Sequence, residues 1–202
     1  ERNIRCDVSI RKRIFENLIL DLAGINRTRK VIWFHSSSMG EFEQAKPIIE
    51  KLKKESGAIV FVTFFSPSGY RNSTKYPYID FVSYLPFDKA SSVKRFLRIL
   101  KPDMVVIMRY DVWPNVIWAL KSMKIPVFIV DATMRDDSKR FLPVIKCFHK
   151  SLFEDLTGIL TVSERDAENY SKFNLPEVLI SKVGDTRFDR VNKKSLDAKN
   201  KK

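Results

Sequence analysis

The chain has 202 residues, 44% hydrophobic and 30% charged, which suits one globular domain at the upper end of the usual size range. Its formal net charge of +13 creates a field that attracts anions: nucleic acid, acidic lipid surfaces or phosphorylated substrates. Two scattered cysteines, Cys6 and Cys147, exclude a disulfide framework and a thiolate metal site, and no apolar run approaches the roughly 18 residues of a membrane span.

Residues 1–30 form a basic lead-in. Ile10, Ile14, Leu18, Ile19 and Leu22 fall on one helical face with Arg11, Lys12 and Arg13 opposite, an amphipathic helix that lies either on a membrane or on the domain itself. From Val31 onward the chain alternates. Strand-like apolar runs lie near 31–35, 58–65, 79–84, 103–108, 126–130, 157–162 and 178–183, with helical patterns between them near 42–55, 69–76, 89–100, 114–123, 144–155 and 164–173. This rhythm predicts an α/β fold over 31–191, a Rossmann-like parallel sheet with helices on both faces. Residues 192–202 read as a disordered basic tail or linker.

The stretch Val31–Ala45, VIWFHSSSMGEFEQA, carries the most chemistry. An apolar strand breaks into a serine-glycine loop, and a helix begins near Glu41. Such a turn faces the ligand crevice of an open α/β sheet. Free helix N–H groups, the positive dipole end and the hydroxyls of Ser36, Ser37 and Ser38 beside Gly40 favour an oxygen-rich or anionic ligand. Glu41 has two readings. One is a helix-start charge worth ~0.3–1 kcal/mol, and the other a general base at the cleft mouth. The helix end works against the second by lowering the carboxyl's pKa, unless the closed site desolvates it.

Later segments are similarly double. Ser66-Pro67-Ser68-Gly69 is explained as a turn by Pro and Gly, or else Ser66 and Ser68 hold sugar hydroxyls or a phosphate. Asp111 caps and Pro114 opens the helix after the fourth strand, or this loop, with Arg109, Asp111 and Asn115, faces substrate. Arg187 is either a surface arginine beside Asp185 and Asp189 or a fixed cation facing ligand charge. No HxxxH, HExxH, CxxC, GxGxxG or GxxxxGK[ST] pattern occurs, so neither a metal nor a dinucleotide is expected.

Six motifs in order resemble one family. HSSSMGE at 35–41 is similar to the H-S-x-S-x-G-E of the 3-deoxy-D-manno-octulosonic acid (Kdo) transferases of lipopolysaccharide synthesis. TFFSPSG at 63–69, YLPFD at 84–88, WPN at 113–115, SERDA at 163–167 and GDTRFD at 184–189 resemble the others. The resemblance implies the N-terminal, acceptor-side half of a GT-B glycosyltransferase that moves Kdo from CMP-Kdo to a lipid A precursor by inverting displacement. Glu41 would be the base, and Arg187 the basic residue offsetting charge on the donor. It also implies no cofactor, a donor bound mainly by a C-terminal half, and a place on an anionic surface, the cytoplasmic face of the bacterial inner membrane, through an anchor ahead of residue 1. On this reading these residues alone do not turn over.

Two positions depart from the pattern. Arg109 and Asp111 stand where many relatives have Glu-x-Glu, which reverses the charge at a position assigned to transition-state stabilisation, and Asp131-Ala132-Thr133 replaces N-A-R. The rival from another class is a non-catalytic basic module that holds nucleic acid or an acidic membrane, with affinity that collapses in salt. Aromatics set mostly inside strand runs, not between basic residues, speak against nucleic acid as a partner.

Overall fold

A computed structural model of the chain describes residues 10–186. Arg187, Cys6 and the tail 192–202 lie outside them. The seven expected strands are present: β1 (Val31–Ser36), β2 (Ile59–Phe64), β3 (Phe81–Tyr84), β4 (Met104–Met108), β5 (Val127–Ala132), β6 (Gly158–Thr161) and β7 (Leu179–Lys182). They pair in parallel in the order β3-β2-β1-β4-β5-β6-β7. Between and before them run α1 (Ile14–Leu22), α2 (Met39–Ser56), α3 (Pro67–Ser73), α4 (Ala90–Leu100), α5 (Pro114–Ser122), α6 (Pro143–Phe153) and α7 (Glu164–Ser171).

β1 and β2 are buried at every residue, which is why they read as continuous apolar runs and not as alternating ones. Their two faces feed different cores. Val31, Trp33 and Phe61 meet Leu18 and Leu22 of α1, Phe96 of α4 and Leu120 of α5. Ile32, Phe34 and Val62 meet Phe42, Ala45 and Ile49 of α2 on the other side. Beyond α2, Val106, Phe128, Val130 and Leu160 floor an apolar groove of about 430 Å³ with Leu52 at its side.

α1 packs on the domain through Ile14, Leu18 and Leu22. Ile19 departs from the expected face and is 50% exposed. Its position one residue after Leu18 turns it about 100° around the helix, beyond the stripe this short helix buries.

Gly69 has a packing reason. A Cβ there would stand 2.2 Å from Cδ1 of Phe64, a buried ring set edge-on against Phe42 at 5.2 Å between centroids. Gly69→Ala is therefore expected to cost about 1–3 kcal/mol by overpacking, which outweighs the ~1 kcal/mol that alanine gains in a helix. The chemical-denaturation midpoint measures it. An unchanged or higher midpoint contradicts the close approach.

Candidate active site at the carboxyl edge of the sheet

The strand order reverses at β1. Its neighbours are β2 on one side and β4 on the other, so the loops leaving β1 and β4 splay apart and open a crevice. The serine loop after β1 and the 109–113 loop after β4 both lie at this switch point. The second serine loop stands beside the first, as expected: the Ser66 N–H donates to the Ser37 carbonyl at 2.9 Å.

A relay of buried polar groups leads to this crevice. His35 and Thr63 face each other in the register of β1 and β2. Trp33 Nε1–H donates to Thr63 Oγ1 at 2.8 Å, and Thr63 Oγ1 lies 2.8 Å from His35 Nδ1. His35 Nε2 lies 2.8 Å from Asp111 Oδ2. A carboxylate only accepts, so the imidazole proton sits on Nε2, and Nδ1 accepts a hydrogen bond from the Thr63 hydroxyl; every donor then has an acceptor. Asp111 Oδ2 also accepts from Trp113 Nε1–H at 2.9 Å and from the Ser37 hydroxyl. Burial opposes ionisation of Asp111, but the hydrogen bonds from His35, Ser37 and Trp113 outweigh it and hold the carboxyl below its ordinary value.

Ser37 is the pivot between two carboxylates. Its hydroxyl holds Asp111, and its backbone N–H donates to Glu41 Oε2 at 2.6 Å. Ser38 caps α2, accepting from the Glu41 N–H at 3.4 Å, so Glu41 closes the first turn back onto the loop. Glu41 is half-buried at the crevice. Burial pushes its carboxyl above the ordinary value and the charge of Asp111 adds to this, against backbone hydrogen bonds from Ser37 and Ser38. Desolvation thus prevails over the helix end. Two nearby carboxylates with values driven apart are the usual mark of an acid–base site.

Other expected residues are placed differently. Ser36 faces no crevice: it is fully buried at the end of β1, and its hydroxyl has no partner among the described residues. The expectation that it meets a ligand is corrected, because strand alternation turns it into the core. Gly40 is exposed in the first turn, and a Cβ there would meet only Ser38 Oγ, at 3.9 Å. Ser66 caps α3 by accepting from the Gly69 N–H, and its hydroxyl pairs with Ser68 at 3.1 Å. The Asn115 amide donates to the Asp88 carbonyl at 2.8 Å, while Asp88 accepts from the N–H groups of Asn115 and Val116. Asp88 is thus the cap of α5, and the YLPFD and WPN motifs are two halves of one helix start.

A second cluster stands one strand further. Arg109 (φ +64°) and Asp131 (φ +54°) both adopt the left-handed region, and the Arg109 N–H donates to the Val130 carbonyl at 2.7 Å. Such a conformation is uncommon in a bulky arginine. Arg109 Nε is buried without a partner among the described residues. Asp131 accepts from the Thr186 N–H at 3.3 Å and from its hydroxyl, which ties β5 to the GDTRFD segment. Burial raises its carboxyl above the ordinary value despite these bonds; Asp185 adds to the rise and Arg109 opposes it.

A raised folded value means that Asp131's contribution is present below about pH 4 and lost as pH rises through the folded value. In Asn the side-chain oxygen still accepts from the Thr186 N–H, the amide N–H donates to the Thr186 hydroxyl oxygen in place of the second carboxylate oxygen, and positive φ is tolerated. Asp131→Asn is therefore expected to raise the thermal midpoint at pH 7 and to narrow that gain in acid. A lower midpoint at pH 7 contradicts it.

The His35–Thr63 pair was not singled out from sequence as a functional unit. Its signal is two polar residues at matching places in otherwise apolar runs, VIWFHS and IVFVTF, visible once the strands are set in register. The chain matches the 3-Deoxy-D-manno-octulosonic-acid transferase (kdotransferase) family over residues 11–190. It is 25% identical over 160 residues to the 3-deoxy-D-manno-octulosonic acid transferase of Haemophilus influenzae, covering 78% of this chain and 38% of that protein. With the Aquifex aeolicus enzyme of the same name it shares 27% identity over 155 residues, 76% of this chain and 40% of the relative. It thus spans less than half the length of either. Its fold is similar to that of UDP-GlcNAc 2-epimerase from Neisseria meningitidis bound to UDP-GlcNAc, with a TM-score of 0.61 at 19% identity over 85% of this chain and 51% of that one. The parallel sheet is that of the GT-B glycosyltransferases and epimerases. By a match that runs from α1 through the edge cluster to the last described residue, this chain belongs to the 3-deoxy-D-manno-octulosonic-acid transferase family.

Proposed function

We propose that the chain is the acceptor-side domain of a transferase that moves Kdo from CMP-Kdo onto a lipid A precursor, with Glu41 as the general base. The observation that carries this is the half-buried Glu41 carboxylate, held by the Ser37 N–H at the switch point and raised in pKa by burial. In the step, Glu41 takes the acceptor hydroxyl proton as that oxygen bonds to the anomeric carbon. The bond from that carbon to the CMP phosphate oxygen breaks, and CMP leaves with the electron pair. Base assistance of this kind supplies ~10²–10⁴-fold, and alignment and fixed charges supply most of the rest.

Arg109, with its Nε unpartnered and its backbone strained toward the crevice edge, offsets negative charge where relatives of the commoner pattern carry an acid. Ser37, Ser38, Gly40, Ser66, Ser68, Asp111 and Asn115 line or brace the acceptor side, and Arg187 faces the donor. No cofactor takes part, and the reaction belongs at the cytoplasmic face of the inner membrane. The test is transfer from CMP-Kdo to a tetraacyl lipid A precursor. The protein expressed from its complete reading frame is expected to transfer, and residues 1–202 alone to bind acceptor without turnover. Transfer by the 202 residues alone, or none by the complete protein, contradicts the proposal.

A further inference from the structure

A buried threonine stands behind the crevice where packing does not ask for one. Thr63 is fully enclosed, and Trp33 and His35 are nearly so. β2 reads IVFVTF, apolar up to Thr63, and a valine there would fill the same space without a hydroxyl to satisfy. Trp33 packs its ring in the core, edge-on to Phe96 at 5.2 Å between centroids, while its N–H turns toward β2. Trp33 and His35 lie two residues apart on one face of β1, and Thr63 pairs with His35 in register. The hydroxyl therefore sits between indole and imidazole.

The ends of this line fix its sense. An indole N–H can only donate and an ionised carboxylate can only accept. Every proton between them thus points toward Asp111: Trp33 to Thr63, Thr63 to His35 and His35 to Asp111, at 2.8 Å each. The opposite imidazole tautomer would set a bare Nε2 against the carboxylate. Bonds that run in one sense polarise one another, and the last of them holds the oxygen of Asp111 that also accepts from Ser37 and Trp113. Ser37 then holds Glu41 Oε2 through its N–H at 2.6 Å. An unbroken set of contacts runs from the interior of β2 to the carboxylate at the crevice.

We propose that Thr63, aimed by Trp33, is a positioning residue for the transfer: its hydroxyl holds the His35 ring in the tautomer and orientation that fix Asp111, and through Asp111 and Ser37 it sets the direction of Glu41. The proposal rests on the reading of Glu41 as the base and adds the residues that aim it. Thr63 itself is enclosed and touches no substrate. Without its hydroxyl, Nδ1 loses its donor and the Trp33 N–H its acceptor, so the imidazole is free to tilt and Asp111 loses a fixed partner. Misalignment of a base costs rate and not ground-state binding. A threonine that only fills the core would show in stability alone.

The test has two readings. The first is nitrogen NMR of the 202-residue chain with labelled imidazoles, which involves no transfer. The chain has two histidines, so His149→Gln assigns the remaining signals to His35. The parent is expected to show the Nε2–H tautomer with Nδ1 accepting a hydrogen bond. In Thr63→Val the Nδ1 signal is expected to move to that of a free acceptor, and in Thr63→Ser to stay. The second reading is transfer by the protein from its complete reading frame. Thr63→Val is expected to lower kcat about ten- to a hundredfold with an acceptor KM within about twofold of the parent's. Thr63→Ser is expected to recover most of the rate. An Nδ1–H tautomer in the parent overturns the proposal. So does a parent-like kcat in Thr63→Val, whatever its thermal midpoint, or an equal loss in Thr63→Ser. Should Thr63→Val not fold, Trp33→Phe carries the same test, because it removes the donor that aims the hydroxyl. A lower kcat at unchanged KM is expected there, and a parent-like kcat overturns the proposal. Glu41→Gln is expected to keep the His35 signals of the parent, so a failure of the base reading shows in that variant's turnover and a failure of this one at Thr63.

Discussion

Glu41→Gln is expected to lower kcat for Kdo transfer at least a hundredfold, in the protein expressed from its complete reading frame, with little change in thermal midpoint. The two halves of this expectation have different causes. Glutamine is nearly isosteric, and its side-chain oxygen still accepts the Ser37 N–H that Glu41 Oε2 accepts at 2.6 Å. The turn that closes α2 onto the serine loop therefore survives. What glutamine cannot do is take a proton, and general-base assistance is worth ~10²–10⁴-fold. A variant that loses only helix-start charge would lose ~0.3–1 kcal/mol of stability and keep its rate. Near-normal kcat with a lowered midpoint would return Glu41 to that structural role.

Asp111→Ala is expected to cost about 2–4 kcal/mol in stability and most of the activity. Three donors converge on one oxygen, from His35, Ser37 and Trp113. Removing the carboxylate strands the imidazole N–H in a nearly enclosed site, and unsatisfied buried donors of this kind cost ~1–3 kcal/mol each before relaxation and water entry. Activity follows, because Ser37, released from Asp111, no longer fixes the N–H that orients Glu41.

The acid dependence has a definite sign. Asp111 is held below its ordinary value, so its share of stability is full above the unfolded carboxyl value of about 3.9 and is lost as pH falls through the folded value. Glu41 and Asp131 run the other way, since burial raises both. The midpoint gap between the parent and Asp111→Asn is therefore expected to close below about pH 4. A gap of constant size from pH 7 to pH 3 would show that Asp111 does not act as an ion.

The elements are legible in sequence because the central strands of the sheet are buried on both faces. Runs such as VIWF and IVFV have no other use in a chain broken this regularly by helical spacing, and the strand ends came out within a few residues. What one chain's periodicity does not hold is which polar residues meet. Asp88 caps a helix that begins 26 residues later at Pro114, and Thr186 closes on Asp131 across 55 residues. Ser36 counted as a loop hydroxyl because the serine run looks uniform, yet the strand continues through it and turns it inward. Helical spacing groups Ile19 with Leu18 on the packed face of α1, whereas the helix buries the narrower stripe of Ile14, Leu18 and Leu22. Arg109 stood out as a reversed charge, whereas its left-handed backbone and the matching strain at Asp131 emerge only where β4 and β5 lie side by side.

The most direct measurement of Glu41's role is the pH dependence of single-turnover Kdo transfer, parent against Glu41→Gln, in the protein from the complete reading frame. The parent is expected to show an acidic limb with one ionisation above the ordinary glutamate range, in keeping with the buried carboxyl. Glu41→Gln is expected to show a rate at least a hundredfold lower at neutral pH and flat through that limb. The same acidic limb in Glu41→Gln, at a rate close to the parent's, would contradict the assignment of the base.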